Sequence, residues 1–400
     1  MSAHDPRIPG DEQPPVNTDS GGGSRFESAR NAVSSKLAPS DPVRGPRTAV
    51  VVGRLLGLVF AVCFVTGLFS HFLQDPLSWM RLATRPVTIY QITQGVHVAA
   101  GLASVPLLLA KLWTVFPRLF TWPPITSWVH LLERALIGVL VSASLLELTI
   151  GVMNIYHWYG WPFSFRSTHY ALAWVIVGTL LAHVSFQLPK IIEHWRVRPR
   201  TVELDRRLFL ASVLTATGAI VAFTAGQSTK VFAGINLFGP RRYGEGPQGL
   251  PVNRTAEAAD VLTTAVDPEW RLDVSGPGVS QRFTRDELLA LPQTEAVIPI
   301  ACVEGWSTTA WWKGVALHEV LSRTGIDPNS RIRVSSLQTR GGYATSEMGP
   351  EFASDDLTLI ALELNGEVLD LDHGYPARII APGRPGVLQT KWISSIEVIA

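Results

Sequence analysis

Five apolar stretches, at about 48–71, 90–115, 128–153, 169–192 and 207–226, dominate the first half of this 400-residue chain. Each approaches the roughly 20 residues that a helix needs to cross a bilayer. Inside hydrocarbon every backbone polar group must be satisfied within its own segment, which restricts such stretches to helices. Five repeats of the same length and low charge argue against buried helices of a soluble domain. Charged residues are 17% of the chain, against about 25% in an ordinary soluble protein. The lipid bilayer is the first partner predicted. A net charge of +1 gives no footprint for nucleic acid.

Basic residues near the span ends predict orientation. Arg25, Arg30, Lys36, Arg44 and Arg47 precede the first span, and Lys111 and Arg118 follow the second. Lys190, Arg196, Arg198, Arg200, Arg206 and Arg207 lie between the fourth and fifth. These regions are expected in the cytoplasm. The other connections carry fewer positive charges (Arg81 and Arg85; Arg166) and are expected outside. The N-terminus is then cytoplasmic, and everything beyond the fifth span is extracytoplasmic. Asp205-Arg206-Arg207-Leu208-Phe209-Leu210 resembles a twin-arginine export pattern. An ordinary positive-inside flank explains the same arginines.

The expected organisation has five parts. Residues 1–46, rich in Gly, Pro, Ser and Asp, form a disordered cytoplasmic tail. Residues 47–195 form a four-span membrane domain, and 196–226 a basic connection with a fifth, tethering span. Gly and Pro mark 227–256 as a linker. Residues 257–400 alternate short β-patterned runs, such as Arg331-Ile332-Arg333-Val334, with brief helical ones, which predicts a mixed α/β domain.

Most of the ten histidines belong to the membrane half. His169 and His183 share one span. Fourteen residues rotate a helix by about 1400°, which leaves them within about 40° of one face and about 21 Å apart along it. Such a helix can offer one ligand to each of two haems, and bundle cores are where such cofactors bind. His97 lies beside Gly95 and Gly101, which admit a flat macrocycle. His71 and His97 compete as outer partners of His169, and His130 is the inner candidate for His183. The competing reading makes these histidines packing residues. Several intramembrane ionisable groups in one pattern favour b-type haem, one or two per chain. Glu147, in the middle of the third span, is costly there and is expected to be protonated, paired or relaying protons. His157, beside Trp158 and Tyr159, reads as an interfacial belt residue.

The chain has two cysteines, Cys63 in an apolar run and Cys302 in Ala301-Cys302-Val303-Glu304-Gly305-Trp306-Ser307, so no disulfide framework is expected. Trp312-x-Gly314-Val315, Leu364-Asn365-Gly366-Glu367, His373-Gly374-x-Pro376-x-Arg378, Pro382 through Gly386, and Lys391-Trp392-Ile393 follow in order. Together with Trp270 to Gly276 upstream, this series resembles the molybdopterin-binding domain of the sulfite oxidase family, including the branch of the periplasmic methionine-sulfoxide reductase. The membrane section resembles di-haem cytochromes b that serve molybdoenzymes.

The resemblance implies a molybdenum-molybdopterin cofactor with Cys302 as metal ligand and catalytic residue, since a soft thiolate suits such a centre. It implies cofactor contacts from His373, Arg378, Lys391 and Arg384, and more weakly from Asn253 and Arg254. Trp306, Trp311 and Trp312 are expected either to wall the pocket or to pack the core. Arg340-Gly341-Gly342-Tyr343 departs from relatives that carry an acidic residue before Gly-Tyr, so substrate specificity does not transfer. The function implied is oxygen-atom transfer at an extracytoplasmic molybdenum centre. Its substrate is a small oxyanion, a sulfoxide or an N-oxide, and electrons are exchanged with a quinone pool through membrane haem. The alternative is a haem-binding membrane protein whose second domain lacks molybdenum and acts as an interaction module.

Overall fold

The structure, a computed structural model, describes residues 42–77, 79–119, 125–195 and 204–399. The expected N-terminal tail up to residue 41, with Arg25, Arg30 and Lys36, lies outside the described residues. So do Arg196, Arg198 and Arg200 of the basic connection.

Five helices among the described residues are long and apolar enough to cross a membrane. They are α1 (Pro46–Gln74), α2 (Ile89–Leu119), α3 (Trp128–Ile155), α4 (Phe165–Trp195) and α5 (Leu204–Ala225). Each contains its predicted span almost entirely and runs past most of the predicted ends by a few residues. Local chemistry sets several ends. Pro46 opens α1, where a missing N–H does no harm. Ser127 caps α3 by accepting from His130 N–H at 3.1 Å. Large apolar side chains such as Leu58, Val65, Leu181 and Leu214 stay exposed on the outer faces, as a lipid solvent requires. The helices pair chiefly as α1 with α2 and α3 with α4. The fifth helix is more than a tether, because it packs along α2.

The α/β domain is built on two five-stranded sheets. One runs β2 (Val279–Phe283), β1 (Leu272–Gly276), β10 (Ile393–Val398), β5 (Ile332–Ser336), β6 (Thr345–Met348). Only the β1–β10 pair in it is parallel. The other runs β3 (Gln293–Ala301), β4 (Ser307–Ala316), β7 (Leu359–Leu364), β8 (Glu367–Val368), with β9 (Arg378–Ile380) also on β7. Leu272, Val274, Val334, Ile360, Leu362 and Ile396 fill a core that extends to Leu73 of α1 and Tyr90 of α2. Apolar packing thus continues from the sheets into the helix ends. Arg85 adds a bidentate pair to Asp355 at 2.7 and 2.9 Å.

Residues 227–256 do not behave as the unpacked linker that their Gly and Pro content predicts. Gln227, Asn236 and Leu250 are buried. The Gln248 amide donates to the Leu364 and Val368 carbonyls, and its oxygen accepts from Asp370 N–H. Irregular backbone can be buried once side chains satisfy it, and here the segment straps the α/β domain.

Candidate functional site

Strand β3 ends at Ala301 and β4 begins at Ser307, so Cys302 opens the hairpin loop between two long antiparallel strands. Cys302 N–H donates to the Trp306 carbonyl at 2.9 Å, and Gly305 N–H to the Cys302 carbonyl at 3.0 Å. Gly305 has φ +94°, and a Cβ there would lie 3.0 Å from Val98 of α2. A glycine is required both by the backbone and by the close approach of the membrane helix. Cys302 is 1% exposed. Burial, and then Glu304, push its pKa well above the ordinary thiol range. A thiol held protonated in this way is a poor nucleophile. A bound metal would deprotonate it outright.

Cys302 opens onto a cleft of about 80 Å³, whose walls include Asn253, Arg254, Trp306, His373, Arg378 and Lys391. Gln338, Tyr343, Gln389 and Thr390 line it as well. Two of its cations, buried Arg378 and half-buried Lys391, are bonded to carbonyls. Arg378 donates to the His373 carbonyl at 2.9 Å and the Gln389 carbonyl at 3.3 Å, its Nε has no partner, and it sits over the Trp312 ring. Lys391 Nζ donates to the Arg254 and Asp372 carbonyls, both at 2.7 Å. Burial lowers Arg378 to about 9. Burial, then Arg378, lowers Lys391 to about 7. His373 Nε2 donates to the Pro247 carbonyl of the strap at 2.8 Å. Burial and the Arg378 charge lower it to about 4, so it is neutral at pH 7. Buried cations of this kind favour an anionic occupant. The lone donors on Arg378 Nε and Trp306 Nε1, with the Gln389 Oε1 acceptor, give a polar organic ligand groups to bond.

The other sequence candidates are distributed unevenly. Arg254 donates to the Ala258 and Arg340 carbonyls at the cleft edge. Arg384 is absent from the cleft wall; it donates to the Glu347 carbonyl and lies over Phe352. Of the tryptophans, Trp306 lines the cleft. Trp312 is core and donates to the Ile298 carbonyl at 3.2 Å. Trp311 is 38% exposed on the opposite face of the strand.

A second cavity of about 800 Å³ lies in the helical bundle, and His71, His97, His169 and Glu147 line it. It shares Asn253, Arg254, Gly342, Tyr343 and Val387 with the cleft, so the two adjoin. His97 Nδ1 donates to the Cys63 carbonyl at 2.9 Å. The His97 and His169 rings are 6.1 Å apart, centroid to centroid. Glu147 Oε1 lies 3.3 Å from His169 Nε2. His71 stacks on Tyr170 at 3.8 Å. His130 and His183 are absent from this cavity's wall. His130 Nδ1 accepts from Thr126 at the start of α3 instead.

His157 departs from the belt reading. Its φ is +58°, and its Nε2 lies 3.1 Å from Glu304 Oε1, with Arg241 3.9 Å from the other oxygen. The Glu304 contact raises the His157 pKa. No sequence pattern links residues this far apart. Only the glutamate's place beside Cys302 hinted at a role.

Five helices long and apolar enough to cross a membrane thus carry an α/β domain with a buried cysteine beside a cation-lined cleft. Residues 259–400 match the family model described as the oxidoreductase molybdopterin binding domain. The chain is 33% identical over 131 residues to the putative protein-methionine-sulfoxide reductase subunit YedZ1 of Azospira oryzae, covering 32% of this chain and 48% of that protein. It is 30% identical over 166 residues to the mitochondrial sulfite oxidase of Mus musculus, covering 33% and 30%. It is 31% identical over 163 residues to a nitrate reductase (NADH) of Brassica napus, covering 32% and 18%. The chain thus spans less than half the length of these relatives.

Proposed function

We propose that this protein is a membrane-bound molybdoenzyme fused to its own redox partner, exchanging electrons with a quinone pool through b-type haem. The observation that carries the reading is that the cysteine cleft and the histidine-lined cavity share a wall.

The cleft fits a molybdenum-pyranopterin. Cys302 would supply the thiolate, Arg378 and Lys391 would neutralise the phosphate, and Asn253, Arg254 and neutral His373 would orient the rest. Once bound, the molybdenum centre supplies two-electron oxygen-atom transfer to or from a small oxyanion, sulfoxide or N-oxide. The remaining work belongs to the chain. Trp306 limits water, and the strap holds His373 through the Pro247 carbonyl. Glu304 stands next to the cleft between His157 and Arg241, placed to hold charge at its edge.

The bundle cavity fits a haem, which supplies single-electron transfer. His97 keeps Nδ1–H on the Cys63 carbonyl, and such a bond leaves Nε2 as the ligand atom. Two imidazoles each bound to one metal at about 2 Å have centroids about 6 Å apart, close to the 6.1 Å of His97 and His169. Gly67 clears the way, since a Cβ there would lie 2.8 Å from His97 Cε1. For His169 to bind a metal through Nε2, Glu147 has to release it. The second pair, His130 with His183, has no support from this cavity, so one haem per chain is the favoured count.

The proposed orientation sets residues 1–46 in the cytoplasm and the domain from 257 outside, with 47–195 and 196–226 as the membrane part. Pairing of Arg81, Arg85 and Arg166 with Glu351, Asp355 and Asp75 supports it, because the arginines on that side are neutralised within the protein. The experiment is optical. If the protein is reductive, quinol reduces the haem and a sulfoxide or N-oxide reoxidises it, with two electrons and two protons giving the reduced product and water. If it is oxidative, sulfite and water give sulfate, two protons and two electrons that reduce the haem. A haem spectrum indifferent to all of these substrates contradicts the proposal.

A further inference from the structure

We infer that Gln94 of α2 and Asn154 of α3 are positioning residues that clamp the Cys302 loop onto the histidine-bearing helices and couple the two centres electronically. The inference rests on the reading above and names the contact through which electrons would cross.

The Val303 carbonyl accepts from both side chains, from Gln94 Nε2 at 3.3 Å and Asn154 Nδ2 at 3.1 Å. A carbonyl can only accept, so both amide nitrogens must face it. The Asn154 amide is fixed from its other end, where Oδ1 accepts from Tyr159 Oη at 3.0 Å. Gln94 is buried. Gln91, one turn earlier on the same face, donates to Ser307 Oγ at 3.2 Å. Val98, one turn later, packs under Gly305. Gln91, Gln94 and Val98 therefore form one stripe of α2 beneath the whole loop from Cys302 to Ser307. From below, Ser307 N–H also donates to the Gln227 carbonyl at 3.3 Å.

This arrangement does more than hold two domains together. Surface ion pairs such as Arg85–Asp355 already do that at the periphery. Gln94 and Asn154 bond the carbonyl of Val303, the residue next to Cys302, and Gln94 stands one helical turn from His97. A covalent and hydrogen-bonded route between the two sites thus runs from Cys302 through Val303, across the Gln94 amide and along one turn of α2. Tunnelling weakens sharply wherever a through-space gap replaces a bond. The step itself moves one electron: the reduced haem iron loses it, the molybdenum centre gains it, and no bond or proton moves. The reverse direction uses the same route.

Two variants remove the donors and keep the shapes. Gln94→Met keeps the chain length, and Asn154→Asp keeps the acceptor for Tyr159 while losing the N–H to Val303. In cofactor-free protein, hydrogen exchange of the 302–307 amides is expected to accelerate in the double variant, while the five helices keep wild-type protection. In loaded protein, photoexcited deazaflavin with a sacrificial donor reduces the haem in a flash, and its reoxidation reports transfer to molybdenum. That rate is expected to fall by about tenfold or more, as small misplacements do, with haem content, molybdenum content and the molybdenum(V) resonance unchanged. Wild-type exchange and wild-type transfer in the double variant overturn the clamp. Loss of haem from both single variants also overturns it, since the amides would then be structural parts of the bundle. A wild-type protein with no haem fails earlier and separately, and contradicts the reading on which the inference rests.

Discussion

Replacing Lys391 by methionine makes the buried charge of the cleft measurable. Its ammonium is bonded to two carbonyls and lowered from 10.5 to about 7. Between pH 7 and 10.5 the unfolded chain therefore binds more protons here than the folded one. Stability of the cofactor-free protein then rises with pH across that window, by at most about 1.4 kcal/mol per pH unit. Below pH 7 the contribution is flat, with the full penalty of the charge, on the order of a few kcal/mol. For a domain of this size that slope moves the unfolding midpoint by a few degrees per pH unit. Lys391→Met removes it. An anionic cofactor removes it too, by holding the ammonium charged. The assay is thermal unfolding from pH 6.5 to 8.5, below the range in which Cys302 would add an opposing slope. Wild-type protein from a host that cannot make the cofactor is compared with the variant, and with loaded wild type. The wild-type minus variant difference should grow with pH in the cofactor-free proteins and vanish on loading. Parallel curves for cofactor-free wild type and variant refute the account of the cleft.

Three further outcomes are expected. His97→Ala or His169→Ala should abolish the pyridine haemochrome signal, whereas His130→Ala and His183→Ala should leave most of it. Arg85→Ala leaves the nearly enclosed Asp355 carboxylate without its bidentate partner, and should destabilise the α/β domain by about 1–3 kcal/mol in denaturant titration. Asp355 is held below its ordinary pKa by Arg85 against the effect of burial. The pair's contribution is therefore present above pH 4 and lost as pH falls through the folded pKa, so wild type and variant should converge in acid. Gly305→Ala forces a left-handed residue against Val98; about 1–3 kcal/mol of strain should appear as a lower midpoint and faster exchange of the loop amides.

The large features were legible because they rest on simple periodicities. Five runs of apolar residues can only be helices in a bilayer, and their ends fell within a few residues of the predicted ones. Cys302 stood out because cysteine is rare in this chain and the motifs around it come in order. Trp311 and Trp312 were left with the same two readings; neighbours on a strand face opposite sides, but which side holds the core emerges only from the fold, where Trp312 packs inside. What sequence could not reveal lies in long-range pairing. His157 meets Glu304, and Gln94 and Asn154 meet Val303, across distances in the chain that no local pattern spans. The strap over 227–256 was hidden for a related reason: Gly and Pro announce irregular backbone, but its burial depends on Gln248 finding β7 and β8. Arg378 and Arg384 are equal in sequence terms, yet only one reaches the cleft.

The central claim is that one chain carries a molybdenum centre on Cys302 and a haem between His97 and His169. The most direct measurement is the molar ratio of molybdenum to haem b in detergent-purified protein, by elemental analysis and pyridine haemochrome, repeated on Cys302→Ser. The account predicts one molybdenum and one haem per wild-type chain, and haem without molybdenum in the variant. Haem alone in wild type, from a host that makes the cofactor, or full molybdenum in Cys302→Ser, would contradict it.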